Sequence, residues 1–310
     1  MLNPVHLRTL TTVIRTGSFA DAARRLGYTG SAVSQQIAAL ERAVKVPLFE
    51  RDAHSVRPTA AGEFIGERAT DSLAALGSLE DDVRGMFMGS IGRLRLGSFP
   101  TASERLLPRT LAAYARQHPD VEVLLDEGEP NELIALLQVA ELDMVLVYRY
   151  NLVPRPWPRA MTATRLLDEP LVLLLPKDHR LAGSGAVPVD DLQDETWIST
   201  REGTSAASCL RRMCAISGFN PQVAYRTNDY GVITNFVASG LGIAIVPVLG
   251  LMANDDVDTA QFRDVQVFRE VTVLHGSSKA NPAVEGVVRE LQKSARALAE
   301  QVPGVSTRVT

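Results

Sequence analysis

Apolar positions organise the first ninety residues into helices. Leu7, Leu10, Val13 and Ile14 recur at helical spacing, behind Asn3-Pro4, an N-cap residue with a proline at the first helical position. Thr16-Gly17 ends that helix, and Ser18-Phe19-Ala20-Asp21 resembles a capping box with Asp in place of Glu. A short second helix follows from Phe19 to Leu26, with Phe19, Ala22, Ala23 and Leu26 on one face. Gly27-Tyr28-Thr29-Gly30 makes a tight turn. A third helix is predicted from about Ser31 to Val44, with Val33, Ile37 and Leu40 facing inward. From Ala60 to about Met88 there is no proline. There Ile65, Ala69, Ser72, Leu76, Leu79, Val83 and Met86 step alternately by four and three, a heptad seam. A helix of that length measures about 43 Å. The seam predicts dimerisation through Ile65, Ala69, Leu76, Leu79, Val83 and Met86; packing against the chain's own body is the alternative.

Beyond Gly89-Ser90-Ile91-Gly92 the period changes. Arg93–Leu96 alternates as a half-buried strand, Val121–Leu125 is a second, and Leu142–Val147 reads as one buried on both faces. Further strands are predicted at Leu171–Pro176, Thr196–Ser199, Val223–Arg226, Ile243–Pro247 and Val265–Leu274. Helices fall at about 103–117, 130–139, 205–217, 230–239 and 282–300. Strand–helix alternation implies parallel sheets covered by helices, an α/β class, and this many strands imply two subdomains.

Composition sharpens this division. The 310 residues are 45% hydrophobic and 22% charged, which excludes intrinsic disorder and sets the scale at two or three domains. Net charge is −4, but residues 1–60 hold eight basic and four acidic side chains, leaving −8 for the remainder. A basic module meeting a polyanion is joined to an acidic module with another task. No run approaches the roughly 18 apolar residues of a membrane span. The first residues show no basic region followed by an apolar stretch, and Cys209 and Cys214 are the two cysteines. These features predict a cytoplasmic protein with no membrane partner.

Two short helices joined by a glycine-containing turn form a helix-turn-helix, whose second helix enters the major groove. A slim, donor-rich face is required there, and Ser31, Ser34 and Gln35 provide it, Gln being able to bond adenine bidentately. Arg24, Arg25, Arg42 and Lys45 lie where phosphates approach. A helical hairpin with a solvated polar face is the alternative. Residues 18–62 resemble the winged helix-turn-helix of LysR-type transcriptional regulators. The pieces are Ala22-Ala23, Leu26, Ser31-Ala32-Val33-Ser34, Gln36-Ile37, Leu40-Glu41, Leu48-Phe49, Arg51 and Thr59-Ala60-Ala61-Gly62. The resemblance implies a two-stranded wing at 46–58 and adds Gln36, Arg51, His54 and Arg57 to the DNA-binding set. Gly30 stands where the family commonly has Gln, and Asp52-Ala53-His54-Ser55 where Thr-Gly-Arg is common. Both departures predict weaker DNA binding with a flatter salt slope.

The resemblance continues through Glu169–Leu181 and through Ala238-Ser239-Gly240-Leu241-Gly242-Ile243-Ala244-Ile245-Val246-Pro247. It implies a body of two Rossmann-like subdomains, related to periplasmic binding proteins, with an effector in the cleft between them. The expected organisation is a winged helix-turn-helix at 1–59, a linker helix at 60–89 and an effector domain at 90–301. Subdomain I would take 90–163 and 267–301, subdomain II 164–266, and 302–310 a flexible tail. Hinge crossings are expected near Ala163-Thr164 and Val267-Phe268. Matching pocket positions are Ser98, Thr101, Thr200, Thr204, Asn228 and Val248, with Tyr148 a further candidate. Short hydroxyls flanking helix starts beyond strand ends suit a carboxylate-bearing small molecule, although each can also be a plain N-cap. Arg149 and Arg201 are placed near the cleft mouth, where either could pair with an anion or remain solvated. Ala140, where a glycine is usual, reads as a local turn change with no obvious functional cost.

Partners expected on this basis are double-stranded promoter DNA, a small-molecule effector, further copies of the chain in a dimer or tetramer, and RNA polymerase. No cofactor or metal is expected. Cys209 and Cys214 fall on one predicted helix, roughly 140° apart round its axis, and cannot bridge without unfolding it; they read as small buried side chains. A solute-binding protein fits the α/β part but not the basic head. An enzyme is disfavoured because the five histidines are scattered and no nucleophile elbow or phosphate loop occurs.

Overall fold

The computed structural model describes residues 2–52, 55–88, 92–276 and 281–307. In the head, α1 (Pro4–Thr16), α2 (Phe19–Leu26) and α3 (Gly30–Val44) precede the antiparallel strands β1 (Phe49–Asp52) and β2 (Ser55–Pro58). Local chemistry sets the helix ends. The Asn3 side chain accepts from the Val5 N–H and that of Ser18 from the Asp21 N–H, while Gly17 and Gly27 close their helices in the left-handed conformation. Leu10, Val13, Val33, Ile37, Leu40 and Leu48 are fully buried and form one core.

The long helix α4 (Ala60–Met88) leaves the head. Here the structure corrects the heptad reading. Ala69 and Leu73 are buried in the head's core and Ile65 packs against it, so Ile65 and Ala69 are occupied by α1 and are not available to another chain. Leu76 and Leu79 are exposed, as is Phe64 one face round. The Val83 and Met86 side chains lie outside the described residues. The period is real, but a helix has more than one apolar stripe, and the nearer surface takes this one.

The body contains β3 (Arg93–Ser98), α5 (Pro100–Arg105), α6 (Leu107–Gln117), β4 (Glu122–Glu127), α7 (Pro130–Gln138), β5 (Met144–Tyr150) and β6 (Thr162–Pro176). Then come β7 (Ala186–Val187), β8 (Thr196–Ser199), α8 (Ser205–Ile216), β9 (Gln222–Arg226), α9 (Tyr230–Ala238) and β10 (Ala244–Pro247). The last elements are β11 (Val257–Phe262), β12 (Phe268–His275) and α10 (Ala283–Gln301). The sheet runs β4-β3-β5-β12-β6-β11-β7, with β10 also on β6. It is mixed, not parallel throughout: β4, β3 and β5 are parallel, whereas β12 and β6 are antiparallel to their neighbours. β8 and β9 form a parallel pair tied to the β10 end through the Trp197–Ile243 bridge.

β6 belongs to both lobes. Its Thr162–Pro170 segment pairs with β12, and its Leu171–Pro176 segment pairs with β10 and β11. The first crossing therefore falls at Pro170-Leu171, where the Leu171 N–H donates to the Val267 carbonyl at 2.9 Å, and not at Ala163-Thr164. Residues 302–307, the described part of the expected tail, are also different from a flexible tail. Val305 is buried, and Ser306 exchanges two backbone hydrogen bonds of 2.8 and 2.9 Å with Asp168 in β6. Ala140 has φ 56° and packs against the head's core. A side chain in this left-handed region costs about 1–2 kcal/mol, so the turn change is not free.

Candidate functional site

Two sites take shape, one on the head and one between the lobes. On α3 the side chains of Ser31, Gln35 and Arg42 are exposed and Ser34 is half-exposed. Thr29 caps the helix, its hydroxyl accepting from the Ala32 N–H and lying 3.0 Å from Ser31 Oγ. Gln36 differs: it is half-buried, and its Oε1 accepts from the Thr9 hydroxyl of α1 at 2.5 Å. It braces α3 against α1 instead of joining the exposed face. Arg24 is exposed and ion-paired with Asp21, and Arg57 is exposed on β2. The Arg51 side chain and His54 lie outside the described residues. Gly30 is exposed and a Cβ there would meet nothing within 4 Å, so a larger residue has room.

The second site is a cavity of about 320 Å³ at the carboxyl ends of β3, β5 and β8, where helices α5, α8 and α9 begin. Thr101, Tyr148, Thr200, Thr204 and Asn228 all line it. Ser98 and Val248 do not: Ser98 is fully buried beneath, and Val248 opens a turn packed on the core. Both lobes contribute, and bonds cross between them. Glu129 Oε1 accepts from Asn228 Nδ2 at 3.5 Å, and Arg105 donates to the Leu249 and Leu251 carbonyls at 3.3 and 3.0 Å. A larger cavity of about 730 Å³ lies between head, α4 and first lobe, away from these strand ends.

The cavity floor is Arg269, which sequence reasoning missed. It is 1% exposed. Its Nε donates to Glu169 Oε1 at 2.6 Å and its Nη2 to Thr101 Oγ1 at 2.6 Å. The guanidinium lies 5.0 Å from the Phe99 ring and 4.9 Å from the Tyr148 ring. Burial works to lower the Arg269 pKa, but the Glu169 carboxylate and the surrounding tyrosines outweigh it, and the net direction is upward. Arg269 stays charged. Glu169 is fully buried, and its other oxygen accepts from the Leu249 N–H at 2.9 Å. Tyr148 donates to Glu129 Oε2 at 2.7 Å, and burial, then Tyr230 and Glu129, push its phenol well above the usual range. Neither expected arginine lines the cavity. Arg149 pairs with Glu270 at 2.9 Å and stacks on Trp157, while Arg201 meets Asn228 through its backbone N–H.

Cys209 and Cys214 sit on α8 as free, buried thiols, each pushed up to about 12 by burial. At pH 8 the thiolate fraction is then about one part in ten thousand. A disulfide-exchange reagent is expected to titrate neither thiol in the native chain and both in strong denaturant. Fast native reaction would contradict this burial.

Among the described residues no group of His, Cys, Asp and Glu could hold a metal, and no helix is long and apolar enough to cross a membrane. A helix-turn-helix head on a long helix, carrying a body with a cavity between two lobes, is the architecture of a DNA-binding regulator with an effector-binding domain. The chain belongs to the LysR family. Residues 4–63 match the "Bacterial regulatory helix-turn-helix protein, lysR family" model and residues 89–296 the "LysR substrate binding domain" model. The small neutral protease regulatory protein of Streptomyces lividans is 30% identical, covering 98% of this chain and 87% of that relative. The HTH-type transcriptional regulator AlsR of Bacillus subtilis is 26% identical over 90% of this chain and 92% of its own. The structure of a full-length OxyR variant from Pseudomonas aeruginosa shares the fold at TM-score 0.64 and 22% identity, covering 100% of this chain and 99% of that one. The protein is thus a LysR-type DNA-binding transcriptional regulator with an effector-binding domain.

Proposed function

We propose that a small molecule bound in the interlobe cavity changes how the heads of an oligomer engage promoter DNA. The carrying observation is that both lobes build the cavity, with Thr101, Glu129 and Tyr148 from one and Thr200, Thr204 and Asn228 from the other. A ligand touching both lobes binds one relative arrangement better than another, which is the only way it can shift an equilibrium. Coupling of about 1–3 kcal/mol is typical of such devices. The cross-cleft Glu129–Asn228 and Arg105–Leu251 bonds are the contacts that a rearrangement would remake.

Dimer or tetramer formation through α4 falls to Phe64, Leu76 and Leu79, the exposed large apolar side chains of its described part. Paired heads would then read two half-sites of one dyad, multiplying affinity. In this reading the protein works in the cytoplasm on double-stranded promoter DNA, in contact with RNA polymerase, and performs no catalysis.

The test is a footprint on the intergenic DNA beside the coding gene, with and without metabolite extracts. An extract-dependent change of footprint supports the reading; DNA occupancy indifferent to every extract counts against it. Within the same assay Gln35→Ala is expected to lose about 1–3 kcal/mol of DNA affinity and relax preference at one base position. Gln35 is exposed and free of the bracing that holds Gln36. Unchanged affinity and preference would remove Gln35 from the base readers.

A further inference from the structure

The charges around the cavity are not balanced. Among the described residues Arg269 is the one cation lining it, and its charge is answered from behind by Glu169 at 2.6 Å, a residue outside the cavity wall. Asp229 caps α9, with one oxygen accepting from the Gly231 and Val232 N–H groups, and Glu104, also in the lining, faces Arg105 at 3.6 Å. Glu129 has no such partner. It takes one hydrogen bond from Tyr148 and a long one from Asn228, both neutral donors, and no described cationic nitrogen lies within salt-bridge distance. A half-buried carboxylate thus faces the cavity with its charge unanswered. Beside it stand three aromatic rings, Phe99, Tyr148 and Tyr230. Phe99 and Tyr148 meet edge to face at 4.8 Å and leave one wall of π-surface already stacked with a guanidinium.

A carboxylate beside apolar aromatic surface suits an organic cation with an apolar portion, and a hydrogen bond to an ionised group has about twice the strength of a neutral one. An anion would meet the opposite field: it must approach Glu129 and compete with Glu169 for Arg269. We infer that the effector carries a protonated amine or similar organic cation seated against Glu129, with an apolar portion against the rings, in place of the carboxylate that the hydroxyl-flanked helix starts had suggested. The inference rests on the interlobe cavity being the effector site.

The experiment uses two matched pairs of probes on the full-length chain at pH 7 by isothermal titration calorimetry. These are 3-phenylpropylamine against 3-phenylpropionate, and butylamine against butyrate. Each pair has similar size and opposite charge, and all fit the cavity. The expected result is that the amines bind the wild-type chain and the carboxylates do not, phenylpropylamine binding tighter than butylamine. In Glu129→Gln, whose amide oxygen still accepts from Tyr148, amine affinity falls about tenfold. The comparison between paired probes needs no variant and stands if Glu129→Gln fails to fold. Carboxylates binding as tightly as amines, amines failing to bind, or amine affinity unchanged in a folded Glu129→Gln would each overturn the inference. An extract-dependent footprint alongside any of those results would leave the regulatory reading standing while removing the cationic ligand.

Discussion

Arg269→Ala is expected to destabilise the body by about 3–5 kcal/mol, the range for removing one partner of a buried ion pair. The reason is what stays behind. Glu169 is fully buried and would keep only the Leu249 N–H, Thr101 would lose its donor, and the Phe99 and Tyr148 rings would face a void. Urea unfolding followed by tryptophan fluorescence measures it, since Trp157 and Trp197 both lie in the body. The deficit should depend on pH. Burial already raises the Glu169 pKa against the pull of Arg269, and without the arginine only the upward push and one hydrogen bond remain. A raised folded-state pKa favours the fold in acid and loses that advantage as pH climbs through it. The variant should therefore lie nearest wild type at low pH and fall away toward neutrality. The paired replacement Arg269→Met with Glu169→Met should recover most of the loss, because no bare charge is left. Equal losses in single and double variants would mean that packing, not the charge, dominates.

Gly62→Ala is expected to damage the head. Gly62 lies in the first turn of α4, and a Cβ there would sit 2.2 Å from the Leu48 carbonyl oxygen and 3.1 Å from its carbon. Backbone cannot retreat as a side chain can. That oxygen already accepts from the Thr59 N–H at 3.0 Å, and the Thr59 hydroxyl donates to the Pro47 carbonyl at 2.8 Å, fixing the join between wing and linker helix. Forced overpacking costs about 1–3 kcal/mol, here at the residues leading into β1. Thermal unfolding of the head and DNA affinity should fall together. Gly66→Ala is the control on the same helix: its Cβ would meet only Ile14 Cδ1, the end of a flexible side chain, at 2.7 Å. The gain in helix propensity, about 1 kcal/mol, offsets that contact. Equal damage from both would show that helix composition and not the Leu48 approach is at fault.

The contrast between Gly62 and Arg269 shows what the sequence makes legible. Gly62 belongs to a local motif, and the caps at Asn3, Ser18, Gly17 and Gly27 act within a few residues, so the head's helices can be read from spacing. Arg269 is set by Glu169 a hundred positions earlier and by Thr101 still further away. In the sequence it is half of an Arg269-Glu270 pair within a strand-like run, and nothing nearby marks it as the buried member. Gln36 shows the same limit on a small scale, because only the packing of α3 on α1 turns it toward Thr9. The Ile65–Ala69 stripe carries a true period but no address, and α1 is closer than any second chain. The hinge lies beyond its expected place because β6 keeps its β12 partner through Pro170, a pairing between segments about a hundred residues apart. Strands β7 and β11 are short or weakly alternating segments with distant partners, and no local pattern marks them.

The placement of β12 has a consequence for biosynthesis. It lies between β5 and β6, and the Ser306 bridge to Asp168 comes later still. A chain emerging from the ribosome makes the head before most of the first lobe, but that lobe's central strand is translated only after the whole second lobe. The second lobe, drawn from one continuous stretch, has all its strands before β12 appears. Domains generally mature in the order of synthesis; here the earlier lobe must wait for the later one. Until β12 emerges, the edges of β5 and β6 stand open, and a nascent chain stalled between β11 and β12 would expose them side by side.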